Sequence, residues 1–178
     1  MDEAESELFR RWRAGDRSAF GRLFSLHANA MYQSALSVAG SSEEARDVVQ
    51  ETYVRLAGRL ADWRGEGSLV AWFATVSRRL AIDRRRRKGA LPLPAEGASS
   101  RDEGPEAAAA GLEEGEILRR AVDALPPLQR ETVRLRYFAG LSLAEVAAVR
   151  GTALGTVKAT LHQAIEKLRR EMGDQSNG

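Results

Sequence analysis

Between residues 78 and 88 the chain reads RRLAIDRRRRK, with seven Lys/Arg against Asp83 alone and a net charge of +6. Guanidinium groups present forked donors that match phosphate oxygens, so this stretch suits polynucleotide binding. A second set lies nearer the C-terminus, where Thr156, Lys158, Ala159, His162 and Gln163 share one side of a predicted helix. Those types can touch base edges and phosphates in a major groove. Catalysis finds fewer candidates. The absence of cysteine excludes a disulfide framework, a Cys-ligated zinc and a thiol nucleophile, and His27 and His162 alone make a histidine cluster or triad hard to assemble. No pair of acids lies in an apolar setting that would shift its pKa for hydrolysis.

The basic stretch is concealed in the bulk charge. The 178 residues carry 27 Lys/Arg and 25 Asp/Glu, a net +2 that names no partner. Counted in pieces, residues 1–88 carry +4, residues 89–115 carry −5 and residues 116–178 carry +3. The middle piece, GALPLPAEGASSRDEGPEAAAAGLEEG, is rich in Gly, Pro, Ser, Ala and acids, and it cannot bury enough apolar surface to offset its ordering entropy. It is predicted to be a flexible acidic linker between two small domains. The start, MDEAESE, is acidic where a secretory signal would be basic, and the longest apolar run, Leu69 to Val76 broken by Thr75, is too short to span a bilayer. A protein not inserted in a membrane and located in the cytosol is expected.

The elements that must position these side chains follow from periodicity. Residues 1–91 hold no proline, which suits uninterrupted helices. Ala45, Val48, Val49, Thr52, Tyr53, Leu56 and Leu60 recur at helical steps behind a Ser41/Glu44 capping box and predict a helix over about 42–61. An earlier stripe passes through Phe20, Leu23, Phe24, Met31 and Leu36. A later one, Leu69, Trp72, Phe73, Val76 and Leu80, follows Ser68 as candidate N-cap. On that last helix Thr75, Arg78, Arg79, Ile82, Arg85 and Arg86 are predicted to face the opposite side. Trp72 belongs to the apolar stripe, whereas Trp63 could be core or stacking platform. Nothing alternates with period two, so the expected fold is all-α.

Ile117, Leu118, Val122 and Leu125 start another helix. Leu128, Val133, Leu135 and Phe138 resume after Pro126 and Pro127 and reach Gly140. Ser142 and Glu145 then form a capping box, a short helix runs to about Arg150, Gly151 turns the chain, and a longer helix covers about 153–171. Its inward stripe is Leu154, Val157, Leu161, Ile165 and Leu168. Short helix, glycine turn and long helix make a helix-turn-helix pattern, which taken alone also describes an ordinary helical hairpin.

The run LPPLQRETVRLRYFAGLSLAEVAAVRGTALGTVKATL resembles region 4 of bacterial sigma factors. EEARDVVQETYVRL, followed by WRGEGSLVAWFATVSRRLAIDRRRR, resembles their region 2. Two regions joined by an unstructured linker are similar to the extracytoplasmic-function subgroup of the sigma-70 family, and the resemblance covers nearly the whole chain in order. It implies region 2 over 1–88, a linker over 89–115 and region 4 over 116–178, in a protein that binds core RNA polymerase and directs promoter-specific initiation. Such a protein uses no cofactor or small-molecule substrate and is not itself an enzyme.

The resemblance also implies roles for residues. The loop Arg64 to Ser68, where Gly65 and Gly67 allow close backbone approach, would receive a base flipped from the promoter −10 element, beside Arg78, Arg79, Arg85 and Arg86. Asp47, Gln50, Glu51 and Arg55 would dock on the polymerase clamp. Arg136 would approach phosphate, while Thr156, Lys158, Ala159, His162 and Gln163 would read the −35 element. Departures from the common pattern at Arg79, Ala159, Thr160 and Gln163 leave base preference at both elements open. An anti-sigma protein that masks both domains is a further implied partner. The rival reading is a homodimeric helix-turn-helix regulator acting without polymerase, which leaves the 78–88 face and the Asp47 surface without a purpose.

Spacing adds a physical argument. The two promoter elements lie about two helical turns apart, on the order of 70 Å. The linker of 27 residues could stretch to about 90 Å but relaxes to roughly 29 Å as a coil. Holding the two heads at promoter spacing therefore calls for a larger scaffold.

Overall fold

A computed structural model describes residues 3–57, 63, 67–89 and 112–175, with the side chains of 112–114 and 173–175 not described. Eight α-helices run through these residues, and no strand occurs among them. The predicted all-α class is what is found. The first helical group comprises α1 (Glu3–Arg13), α2 (Arg17–Ala39), α3 (Ser42–Ala57) and α4 (Leu69–Arg87). The second comprises α5 (Leu112–Asp123), α6 (Pro127–Val133), α7 (Leu143–Arg150) and α8 (Leu154–Gln175), with a π-helical turn, Arg134–Phe138, continuing α6. Helix α5 starts inside the stretch expected to be linker, and the expected last turn of the 42–61 helix, beyond residue 57, lies outside the described residues.

Helix α1 was not foreseen. Its acids in the first turn and arginines in the last complement the backbone dipole, and Phe9 and Trp12 bury one face. Asp16 then ends the connection: its carboxylate accepts from Ser18 N–H at 2.8 Å and Ala19 N–H at 3.2 Å, while Arg11 donates to it from α1 at 2.6 Å. The Ser18 hydroxyl also donates to it at 2.7 Å, and this bond foremost, then Arg11, holds the Asp16 carboxyl far below the usual carboxylate range. The sequence had offered only the apolar stripe of α2, and the Asp16 cap is what separates α1 from it. At the other end Gly40 closes α2 in the left-handed region, φ +92°.

The first core is aromatic. Phe9, Trp12, Phe20, Phe24 and Phe73 gather round it, and Trp63 closes it edge-on to Phe9 with centroids 4.5 Å apart. Trp63 is therefore packed in the core, 7% exposed, which settles the alternative left by the sequence. Trp72 packs edge-on against Phe73 at the margin of the same core. Two buried hydroxyls fix α4 on α2. Ser34 donates to the Ala74 carbonyl at 2.9 Å, and Ser77 donates to the Met31 carbonyl at 3.0 Å. The face of α4 opposite this core is thereby set in direction by one hydroxyl from each helix.

The second group closes round Val122, Leu125, Val133, Leu161 and Ala164. Pro127 starts α6 at its first position, where a missing N–H costs nothing. A third apolar seam joins the two groups: Ala30 of α2 and Ala71 and Ala74 of α4 meet Leu135, Leu141, Val146 and Val149. Small side chains on one side let the helices approach closely.

Candidate nucleic-acid interface

The N-cap residue Ser68 opens α4 and Arg78 lies two to three turns along it. Ser68 has extended backbone, φ −87° and ψ 130°, and its hydroxyl accepts from Ala71 N–H at 3.4 Å. Of the expected loop, Arg64 and Gly65 lie outside the described residues, while Gly67 adopts φ +76°, a left-handed backbone that glycine permits.

The arginines of α4 do not form one free cationic face, which corrects the expectation for half of them. Arg79 and Arg86 are exposed as predicted. Arg78 instead donates from Nε to Glu131 Oε1 of α6 at 2.5 Å, with only 19% of its side chain exposed. Arg85 is half-buried and donates to the Val38 carbonyl at 3.0 Å. Thr75 bonds back to the Ala71 carbonyl at 2.7 Å, and Ile82 packs against the apolar cluster of α2 and α3. The reason is that α4 is covered on two sides, by its own group and by the second one, which a single-helix projection cannot show. The exposed cations that remain are Arg79, Arg86 and Arg87 on α4, with Lys88 beyond it paired to Glu44.

The expected clamp-docking residues lie together on α3. Asp47, Gln50 and Arg55 are exposed, and Glu51 is half-buried between Arg55 at 2.5 Å and Arg84 at 2.7 Å. Burial pushes the Glu51 carboxyl up, but the two arginines outweigh it and leave it below the ordinary value. Arg84 also faces Asp47 at 3.7 Å, so this surface is an ionic network across α3 and α4. Beside it Val54 is 72% exposed, an apolar residue that nothing in the sequence reading had singled out.

The helix-turn-helix is built as its caps require. Ser142 accepts from Glu145 N–H at 3.2 Å, and the Glu145 carboxylate accepts from Ser142 N–H at 2.7 Å, so the capping box is complete. Gly151, φ +64°, ends α7 in the left-handed region and turns the chain into α8. On α8 the residues Val157, Leu161 and Ala164 are buried, while Thr156, Lys158, Ala159, His162 and Gln163 are all exposed, as the periodicity predicts. Leu154 departs from the predicted stripe. It is 42% exposed in the first turn of α8, and the inward face starts at Val157. Arg136 is half-buried, donating to the Leu141 carbonyl at 2.8 Å with its guanidinium over the Tyr137 ring. The π-helical turn carries both residues. The wider turn was invisible to a reading at 3.6 residues per turn.

Sequence reasoning missed the polar contacts between the two groups. Glu131, 3% exposed, accepts from Arg78 through Oε1 and faces Arg150 at 3.4 Å through Oε2. Ser68 donates to Glu145 Oε1 at 2.5 Å, Asn29 donates to the Phe138 carbonyl at 2.7 Å, and Arg134 donates to Gln33 at 3.1 Å. Burial would raise the Glu145 carboxyl, yet the Ser68 and Ser142 bonds prevail and hold it below its usual value. One signal was available: Glu131 stands one turn before Leu135, an acid among residues that helical spacing turns inward. An acid there needs a buried cation.

Among the described residues no group of three or more His, Asp or Glu is placed to hold a metal, and no helix is long and apolar enough to cross a membrane. The chain matches the sigma-70 region 2 family over residues 23–90 and the sigma-70 region 4 family over residues 115–168. It is 30% identical over 178 residues to the ECF RNA polymerase sigma factor SigM of Mycobacterium tuberculosis, covering 99% of this chain and 89% of that protein. It is 30% identical to SigE of Mycolicibacterium smegmatis, also described as an ECF RNA polymerase sigma factor, covering 92% of this chain and 66% of that one. The chain thus spans about two thirds of the length of that relative. Similar folds are CnrH in complex with the cytosolic domain of CnrY, TM-score 0.69 at 24% identity over 97% of this chain and 99% of that one, and the sigma factor RpoE of Bartonella quintana in complex with the anti-sigma factor NepR, TM-score 0.65 at 22% identity over 86% and 96%.

Proposed function

The chain belongs to the extracytoplasmic-function sigma factors of the sigma-70 family, and from that membership we propose that it joins core RNA polymerase in the cytosol and gives it promoter choice. In this reading α8 enters the major groove at the −35 element through Thr156, Lys158, Ala159, His162 and Gln163, with Arg136 toward phosphate. The −10 element is captured by the Arg64–Ser68 loop and the arginines of α4, Arg78, Arg79, Arg85 and Arg86, and the Asp47, Gln50, Glu51 and Arg55 surface docks on polymerase. Residues 1–88 serve as region 2, residues 89–115 as the tether and residues 116–178 as region 4. The phosphoryl-transfer chemistry belongs to the core enzyme, and this chain contributes no catalytic group to it.

The observation that carries the reading is the pairing, in one chain, of a fully capped helix-turn-helix whose reading face is open with a separate arginine-rich helix. A homodimeric regulator needs only the first. Two solved relatives are complexes with CnrY and with an anti-sigma factor, which supports an anti-sigma protein as a further partner of this chain. Run-off transcription with core enzyme over a randomised promoter library tests the reading. The expected result is recovery of a bipartite sequence with fixed spacing. Recovery of no sequence above the core-only background refutes it.

A further inference from the structure

The leading half of α8 is short of the groups that usually read bases. From Ala153 to Thr160 the chain reads ALGTVKAT, in which Lys158 carries the only charge and no Arg, Asn, Gln, Asp or Glu occurs. Of its two hydroxyls, that of Thr160 already donates to the Thr156 carbonyl at 2.8 Å. Gln163, the first residue able to grip adenine with two bonds, stands more than two turns beyond the start of the helix.

What the first turns present instead is apolar. Leu154 is 42% exposed, and Ala153 and Ala159 are exposed as well. Gly155 adds no side chain, and the space where its Cβ would stand is open, so nothing holds this turn away from a base edge. An exposed leucine on a helix that enters the major groove has one favourable partner there. Thymine alone carries a methyl group on its edge, whereas the edges of guanine, adenine and cytosine would lose water to the leucine with no bond in return. Leu154 and Ala159 lie five residues apart in sequence and about 140° apart around the helix, so they meet different base pairs.

Resting on the sigma-factor reading above, we propose that α8 recognises thymine through its methyl group, with Leu154 the principal specificity-determining residue and Ala159 a second contact at another base pair. Lys158, one turn after Leu154, supplies a phosphate contact beside it that carries no sequence information. The preferred −35 element then bears thymine where the first turn of α8 meets the groove.

The test uses the full chain without polymerase and a pool of fully randomised duplexes at low salt, so no probe depends on transcription. Bound duplexes are sequenced. An enriched one is resynthesised with uracil in place of each thymine in turn, which removes the methyl group and leaves the base pairing unchanged, and affinities are read by fluorescence anisotropy. At the base pair under Leu154, uracil is expected to weaken binding about fourfold, the value of one buried methyl group. Leu154→Ser should abolish that difference and Leu154→Met should keep it. Neither should change the salt slope, which a general loss of the DNA-binding surface would. No enriched sequence, an enriched sequence in which no uracil weakens binding, or a thymine preference that Leu154→Ser leaves intact overturns the proposal. Run-off transcription decides the sigma-factor reading separately. Initiation without methyl-dependent binding removes only the thymine readout, and methyl-dependent binding without initiation removes only the sigma-factor reading.

Discussion

Glu131→Ala is expected to be as destabilising as truncating a large core side chain. The carboxylate is 3% exposed and lies between Arg78 at 2.5 Å and Arg150 at 3.4 Å, whose side chains are 19% and 6% exposed. Removing it leaves two poorly solvated guanidinium groups facing a cavity, and breaking a buried pair in this way costs about 3–5 kcal/mol. Against a total stability on the order of 10 kcal/mol, that is a large fraction. At about 2–4 °C per kcal/mol for a chain of this length, the melting midpoint should fall by on the order of 10 °C. The three tryptophans, Trp12, Trp63 and Trp72, all lie in the first half of the chain, so two probes divide the effect. Circular dichroism should show the loss in the second group, and tryptophan fluorescence should show a smaller loss transmitted through Arg78. A double-mutant cycle of Glu131→Ala with Arg78→Ala should return a coupling of about 1–3 kcal/mol. A total loss under 1 kcal/mol, or a coupling of zero, would refute the argument that this carboxylate joins the two groups.

Other perturbations separate the remaining parts. Ser142→Ala removes the α7 cap and should cost about 1 kcal/mol by urea unfolding followed in the far ultraviolet. Lys158→Ala should weaken −35 duplex binding similarly for all sequences and reduce the salt slope by about one, whereas Gln163→Ala should alter sequence preference. Burial holds His27 below its ordinary pKa against the opposing pull of Glu5 at 2.8 Å. A histidine lowered on folding adds stability above its unfolded pKa and loses it as pH falls through the folded value. Fluorescence-detected stability should therefore decline from pH 7 toward pH 5, and His27→Gln should flatten that decline. The Glu145 carboxyl is also lowered on folding, so its contribution is present above the ordinary glutamate pKa and disappears as pH falls through the lower folded value. A fluorophore pair across the joint should report opening in that acid range and none between pH 6 and 8.

What the sequence made legible was whatever depends on neighbours three or four residues away. The Ser142/Glu145 box, the Gly151 turn and the exposed set from Thr156 to Gln163 follow from local spacing, and each is present as expected. Ser68 as N-cap belongs to the same class. Helix α1 escaped because its apolar face is little more than Phe9 and Trp12, and its boundary rests on the Asp16 side chain. Arg78 and Arg85 were misjudged for a different reason. Their outward direction on α4 is correct as helix geometry, but Arg78 meets Glu131 of the second group and Arg85 meets the Val38 carbonyl of α2, contacts that span 53 and 47 residues of sequence. Charge at an inward position, as at Glu131, was the trace that such a contact leaves in a sequence.

In the proposed function two helical heads acquire promoter selectivity only when polymerase holds them apart. Hydroxyl-radical footprinting of a promoter recovered from the library, with chain alone, core alone and both together, addresses this directly. Protection of both elements in the combined sample alone is the predicted result. Strong protection of both elements by the chain without core enzyme, or no protection beyond core enzyme in the combined sample, would contradict it.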